Sequence, residues 1–151
     1  MSALPENYGF VILTIVASFF LSAWHSFRCT PFRKRAGIPY PKSFADSNDF
    51  ATANNEKKQA LYLFNCAQRA QGNWQENHPS VALAVLIAGL RYPVTASVMG
   101  LGWMVNRVVY AVGYTNKEQK EGRGRLRGSA GWFVQLGLFL LAGWTGVGMV
   151  M

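Results

Sequence analysis

The chain has 151 residues, half of them hydrophobic, yet it carries 15 Lys and Arg against 7 Asp and Glu, a formal net charge of +8. So high an apolar fraction excludes a disordered chain, and Cys29 and Cys66 alone exclude a disulfide scaffold. Charged residues make up 15%, below the roughly 25% of an average soluble domain, and the length fits one domain spanning 1–151.

The mean hydropathy of +0.08 is an average over very uneven stretches. The first, Asn7 to Phe27, runs NYGFVILTIVASFFLSAWHSF with no Asp, Glu, Lys or Arg. A hydrocarbon core of about 30 Å needs about 20 helical residues, so this run is long enough to span. A cleaved secretory signal needs a basic start and a shorter apolar stretch; only Glu6 and the chain amine stand just before Asn7, and a retained helix is expected. Leu61 to Leu90 begins polar and turns apolar after Pro79. It spans only if the helix starts near Leu61 and takes Arg69 and Glu76 with it, and Pro79 should then kink it. Tyr92 to Tyr114 is apolar apart from Asn106 and Arg107, and Pro93 suits a helix's first turn. Gly128 to Met151 is a second run free of charge. The expected architecture is all-α: an integral membrane bundle of four transmembrane helices at about 7–29, 60–90, 92–115 and 128–150. The very short link at Arg91-Tyr92-Pro93 makes the second and third helices a tight antiparallel hairpin.

Four spans sort the cations by side. Arg28, Arg33, Lys34, Arg35, Lys42, Lys57 and Lys58 fall in one loop, and Lys117, Lys120, Arg123, Arg125 and Arg127 in another, both on one face. The positive-inside rule makes that face cytosolic. For most of these residues, topology and contact with anionic lipid are sufficient reason.

Ionisable residues inside a membrane helix are costly and are functional candidates. On the second helix Arg69, Asn73 and Glu76 stand at i, i+4 and i+7, one face of a helix, while Gln71 points to a different neighbour. An Arg–Glu pair that satisfies itself near the interface is the plainer reading. On the third helix Asn106, Arg107, Tyr110 and Tyr114 form another stripe, for which the plainer reading is an aromatic belt at headgroup depth. Together they make a cluster of guanidinium, carboxylate, amide and phenol suited to a small anionic peptide: Arg pairs bidentately with carboxylates, Glu76 accepts from an ammonium group, and amides pair with amides. Cys29 and Cys66 read as small buried residues. Neither His25 nor His78 has a partner at a ligand spacing, so no metal is expected.

At these residues the sequence resembles the MAPEG superfamily, membrane-associated proteins of eicosanoid and glutathione metabolism. FNCAQRAQGNWQENHP, Phe64 to Pro79, is similar to the family's signature through Arg69, Ala70, Gln71, Asn73, Glu76 and Pro79. FNCAQRA, the later NRVVYAVGY, the start Glu6-Asn7-Tyr8-Gly9-Phe10 and Tyr40-Pro41 resemble the microsomal glutathione S-transferase type 3 branch more closely than the leukotriene C4 synthase branch. The resemblance implies a homotrimer with glutathione bound between subunits near the cytosolic face. It places glutathione contacts on Arg33, Arg69, Gln71, Asn73, Glu76, Tyr110 and Tyr114, and the arginine that activates the thiol on Arg127, with Arg125 and Arg123 as alternatives. The implied activity is a glutathione transferase and peroxidase of leukotriene C4 synthase type, acting on lipophilic electrophiles and lipid hydroperoxides that arrive through the bilayer. The implied location is the endoplasmic reticulum membrane, with the nuclear envelope and mitochondrial outer membrane as alternatives; no nucleic acid partner is expected. A relative that keeps the fold without the full glutathione set, the lipoxygenase-activating type, offers the competing reading of a non-enzymatic scaffold. A small pore would need a polar stripe along a whole helix.

Overall fold

A computed structural model of the chain describes residues 4–118 and 120–151; the side chain of Lys120, counted above among the loop cations, lies outside the described set. Among the described residues there is no strand. The elements are α1 (Tyr8–Ala36), a short α2 (Ser47–Ala51), α3 (Asn55–Gly89), α4 (Pro93–Tyr114), a segment of 3-10 turns (Lys120–Gly128) and α5 (Ala130–Val150).

The helix ends follow local chemistry. α1 continues through Pro31 and past residue 29, with Arg33, Lys34 and Arg35 in its last turn, where cations favour the negative end of the helix dipole. α3 starts above its apolar part, at a cap in which Asn54 accepts from the Lys57 N–H at 2.8 Å. α3 passes through Pro79 and stops at Gly89; the Tyr92 N–H closes the turn onto the Ala88 carbonyl at 2.8 Å, and Pro93 opens α4.

α3 is the central element, packed against α1, α4 and α5. The main core is built from Val11, Trp74, Val85, Trp103, Met104 and Leu138 among others. A smaller cluster of Ala36, Ile38, Ala45, Leu61 and Phe64 joins the end of α1 to the start of α3. Large apolar side chains also cover the outside of the bundle, and several polar ones lie within it. Phe10, Leu13, Phe20 and Phe27 of α1 and Phe133, Leu136 and Leu140 of α5 are exposed, whereas Thr14, Ser18, His25, Gln135 and Thr145 are buried. Water would favour the reverse. α1 and α5 are also the two helices long and apolar enough, among the described residues, to cross a membrane.

The segment after α4 is pressed onto that helix. The Gly113 and Gly124 backbones touch: a Cβ on Gly113 would stand 2.1 Å from the Gly124 carbonyl oxygen, and one on Gly124 would stand 2.2 Å from that of Gly113. No side chain fits at either position, so this contact fixes where the loop arginines emerge.

Candidate functional site

α3 has two unlike faces. The face towards α1 is fully engaged. Gln71 donates to Ser26 Oγ at 3.2 Å and the Trp74 indole N–H to Ser22 Oγ at 2.8 Å. Trp74 is stacked between His25 and His78, with ring centroids 5.1 and 4.7 Å away. His78 Nε2 lies 2.8 Å from Ser18 Oγ. Since the Ser18 hydroxyl donates to the Ile15 carbonyl at 2.6 Å, Ser18 accepts and His78 carries its proton on Nε2.

The opposite face carries Arg69 and Glu76, both exposed. No ion pair joins them: among the described residues the ion pairs are Lys42–Asp46, Lys42–Asp49 and Arg123–Glu121. The reading in which Arg69 and Glu76 merely neutralise each other is therefore not what the side chains do. Asn73 lies between them, half-buried, and accepts from Arg107 Nη1 of α4 at 2.8 Å.

On α4, Tyr110 and Tyr114 are half-buried and meet edge to face at 5.5 Å. Arg125 stands over the Tyr114 ring at 5.2 Å, its Nη1 donating to the Glu121 and Gly122 carbonyls at 3.0 and 3.1 Å. Arg123 pairs with Glu121 in the open. Arg127 is exposed in a groove of about 640 Å³ with Val108, Val109 and Val112, away from the tyrosine face of α4.

The chain does not gather all the expected residues in one place. Arg33 lies between the rings of Tyr40 and Phe64, at 4.2 and 4.8 Å, and donates to the Lys42 carbonyl at 2.6 Å. Phe64 and Gln71 face away from Arg69 and Glu76, because successive residues turn by about 100°. Asn73, Arg107, Tyr110, Tyr114 and Arg125 are linked contact by contact, and Arg69 and Glu76 share the Asn73 face of α3 by helical spacing; Arg33 and Gln71 belong to the other side of α3.

Two residues outside the expected set take part. Arg28 donates to the Thr115 hydroxyl, tying α1 to the end of α4. Arg107, which the sequence put in the polar stripe of the third helix but not among the glutathione contacts, is a fully buried cation contacting Asn73 and the Gly128 carbonyl just before α5. Its signal was visible as a lone charge in an apolar run; its partners, distant in sequence, were not.

Chemically, the outward group offers cations for carboxylates, one carboxylate for an ammonium, an amide and two phenols, at the edge of a body whose outer surface is apolar. The sequence model of the MAPEG family matches residues 11–144, nearly the whole chain. With apolar side chains over the outside of α1 and α5, this helical protein is a membrane protein and belongs to the MAPEG family.

Proposed function

We propose that the protein is a membrane glutathione transferase and glutathione-dependent peroxidase of the type 3 kind, working on lipophilic electrophiles and lipid hydroperoxides. The observation that carries the reading is the outward stripe of Arg69, Asn73 and Glu76, whose charges have no ion-pair partner among the described residues, joined through Arg107 to Tyr110 and Tyr114. Glutathione has two carboxylates, an ammonium group, two amides and a thiol, and that list fits these residues. The position of Arg33 and Gln71 on the far side of α3 supports a site completed by a neighbouring subunit. In a homotrimer these two would serve Arg69, Asn73 and Glu76 of the next copy by exchanging their present partners, the Lys42 carbonyl and the Ser26 hydroxyl. The four long helices are then four spans, with the basic loops cytosolic and the endoplasmic reticulum as the membrane.

A free thiol has a pKa of about 8.5, and only the thiolate is a good nucleophile. A guanidinium stays charged and favours the anion. Lowering the thiol pKa by about two units takes about 2.7 kcal/mol, within reach of one arginine in a partly dry site. Within a subunit the loop arginine beside the tyrosines is Arg125. Arg127, the residue the family resemblance favours, serves if its groove opens to a neighbour's site. The thiolate then attacks an epoxide carbon; the C–O bond breaks and the oxyanion takes a proton, leaving a thioether. With a hydroperoxide, sulfur attacks the distal oxygen and the O–O bond breaks. An alcohol leaves after protonation, and the glutathione sulfenic acid reacts with a second thiol to give disulfide and water.

Purified protein in detergent, given glutathione with a fatty acyl hydroperoxide or an allylic epoxide, is expected to turn over both. Arg125→Ala and Arg127→Ala are compared for loss of kcat at unchanged glutathione affinity, and the larger loss assigns the activating residue. Absence of both turnover and glutathione binding would leave the scaffold reading in its place.

A further inference from the structure

Arg107 is 1% exposed and has no carboxylate within ion-pair distance among the described residues. Nη1 donates to Asn73 Oδ1 at 2.8 Å and Nη2 to the Gly128 carbonyl at 3.0 Å, while Nε has no partner. The rings of Tyr110, Trp132 and Trp103 stand 5.1, 5.5 and 5.7 Å from the guanidinium carbon. The space is closed on the α5 side too: a Cβ on Gly131 would fall 2.5 Å from Nη2, so only glycine lets the first turn of α5 come this close. A buried cation without an anion is expensive. It is held by two hydrogen bonds and three ring faces, and each contact restricts where the group can be.

The hydrogen bond to Asn73 has a fixed polarity. A guanidinium has five N–H donors and no acceptor, so the atom of the Asn73 amide that faces it must be the oxygen. The Asn73 NH2 is then turned away from Arg107, and it meets no acceptor among the described residues. An unconstrained amide can turn over and either donate or accept. Here the NH2 is the end left free, and that end can only donate.

We propose that Arg107 is a positioning residue that holds the Asn73 amide with its NH2 towards the bound peptide. Asn73 is therefore a donor to a carboxylate or carbonyl oxygen of the ligand, and the ammonium group is left to Glu76. Through the Gly128 carbonyl the same guanidinium fixes the entry to α5, and with it the arginine loop, relative to Asn73. This rests on the peptide-thiol site proposed above.

The test uses the full chain in detergent and measures glutathione binding calorimetrically with a thermal melt of each variant. Asn73→Asp is nearly isosteric and presents a carboxylate to Arg107, so it should melt no lower than the wild type. It offers the ligand no donor, and it should bind glutathione about tenfold more weakly or worse. Wild-type affinity in Asn73→Asp would overturn the donor assignment, whatever the Arg107 variants do. Arg107→Gln should weaken binding when Asn73 is present and add little once Asn73→Ala has been made. A loss that simply multiplies across the two sites would mean a general structural role and would overturn the positioning. If the wild type itself binds no glutathione, the proposed site fails and this inference with it; if it binds and the variants disobey, only the inference fails.

Discussion

The two faces of α3 differ in one respect that orders much else. Towards α1, Gln71, Trp74 and His78 each have a named partner, and Trp74 lies between two stacked imidazoles. Away from α1, Arg69 and Glu76 have no ion-pair partner among the described residues, although both are charged. In a membrane protein a satisfied polar group holds helices together, whereas charges without an ion-pair partner on one helix face are candidates for binding a ligand. The same helix thus carries a structural face and a receiving face one residue apart.

The sharpest way to break this comparison is to truncate both faces. Trp74 is 2% exposed, and Trp74→Ala should cost about 3–5 kcal/mol and unstack His25 and His78. Arg69→Ala should change stability by less than about 0.5 kcal/mol while abolishing most glutathione binding. Unfolding followed by near-ultraviolet circular dichroism in detergent, paired with binding calorimetry, reads both. A melt lowered as much by Arg69→Ala as by Trp74→Ala would mean that the outer face is structural after all.

A smaller effect tests the polar seam through the core. The Trp103 indole, which can only donate, gives its N–H to Gln135 Oε1 at 3.1 Å; Gln135 Nε2 then donates to Asn77 Oδ1 at 3.0 Å, and Asn77 Nδ2 to the Asn73 carbonyl at 2.8 Å. The chain runs one way because its first member has no acceptor. Gln135→Leu leaves a buried indole N–H unpaired and frees Asn77, at a cost of about 1–3 kcal/mol. Gln135→Glu keeps an acceptor for Trp103 and should lose less if the carboxyl stays protonated. Equal melts for the leucine variant and the wild type would show that the seam contributes nothing.

What was legible in the sequence follows from which interactions are local. The absence of charge from Asn7 to Phe27 and from Gly128 to Met151 is one-dimensional information, and α1 and α5 stand there. The spacing of Arg69, Asn73 and Glu76 already placed them on one face, because helical periodicity needs no tertiary knowledge. The separation of Arg33 and Gln71 from that group was not legible. It depends on how α3 is rotated against α1 and on the Arg33 guanidinium turning to Tyr40 and Phe64. The resemblance put Arg127 ahead of Arg125 and Arg123, but residue type alone could not show which of them stands beside the tyrosines, since that depends on the Gly113–Gly124 contact. Arg107 was conspicuous as a charge but anonymous in role, because Asn73 and Gly128 lie far from it along the chain.

The smallest expected effect lies off both faces of α3, in the loop before it. Asp46 caps α2 by accepting from the Asn48 and Asp49 N–H groups at 3.0 and 3.2 Å, and Lys42 lies 2.9 Å from its carboxylate. The Lys42 ammonium, followed by the Asp49 N–H, holds the Asp46 carboxyl below its ordinary value of 3.8. A carboxyl with a lowered folded pKa contributes its stabilisation in full above the ordinary value and loses it as pH falls through the lowered one. Lys42 is raised above its ordinary 10.5 by the hydrogen bonds it donates to Asp49 and Asp46, so its share is complete below 10.5 and disappears only as pH rises through the raised value. The loop should therefore be uniformly protected between these limits and open on the acid side, below about pH 3.8. Hydrogen exchange of the α2 amides, corrected for intrinsic rates, reads this directly. Asp46→Asn keeps a good cap but removes one of the two carboxylates on Lys42, so its corrected protection should depend less on pH than the wild type's across the acid arm. If the wild type is equally flat there, the Lys42–Asp46 pair is an exposed contact with no bearing on the loop, as the weakness of surface ion pairs allows, and the cap alone holds α2 against the start of α3.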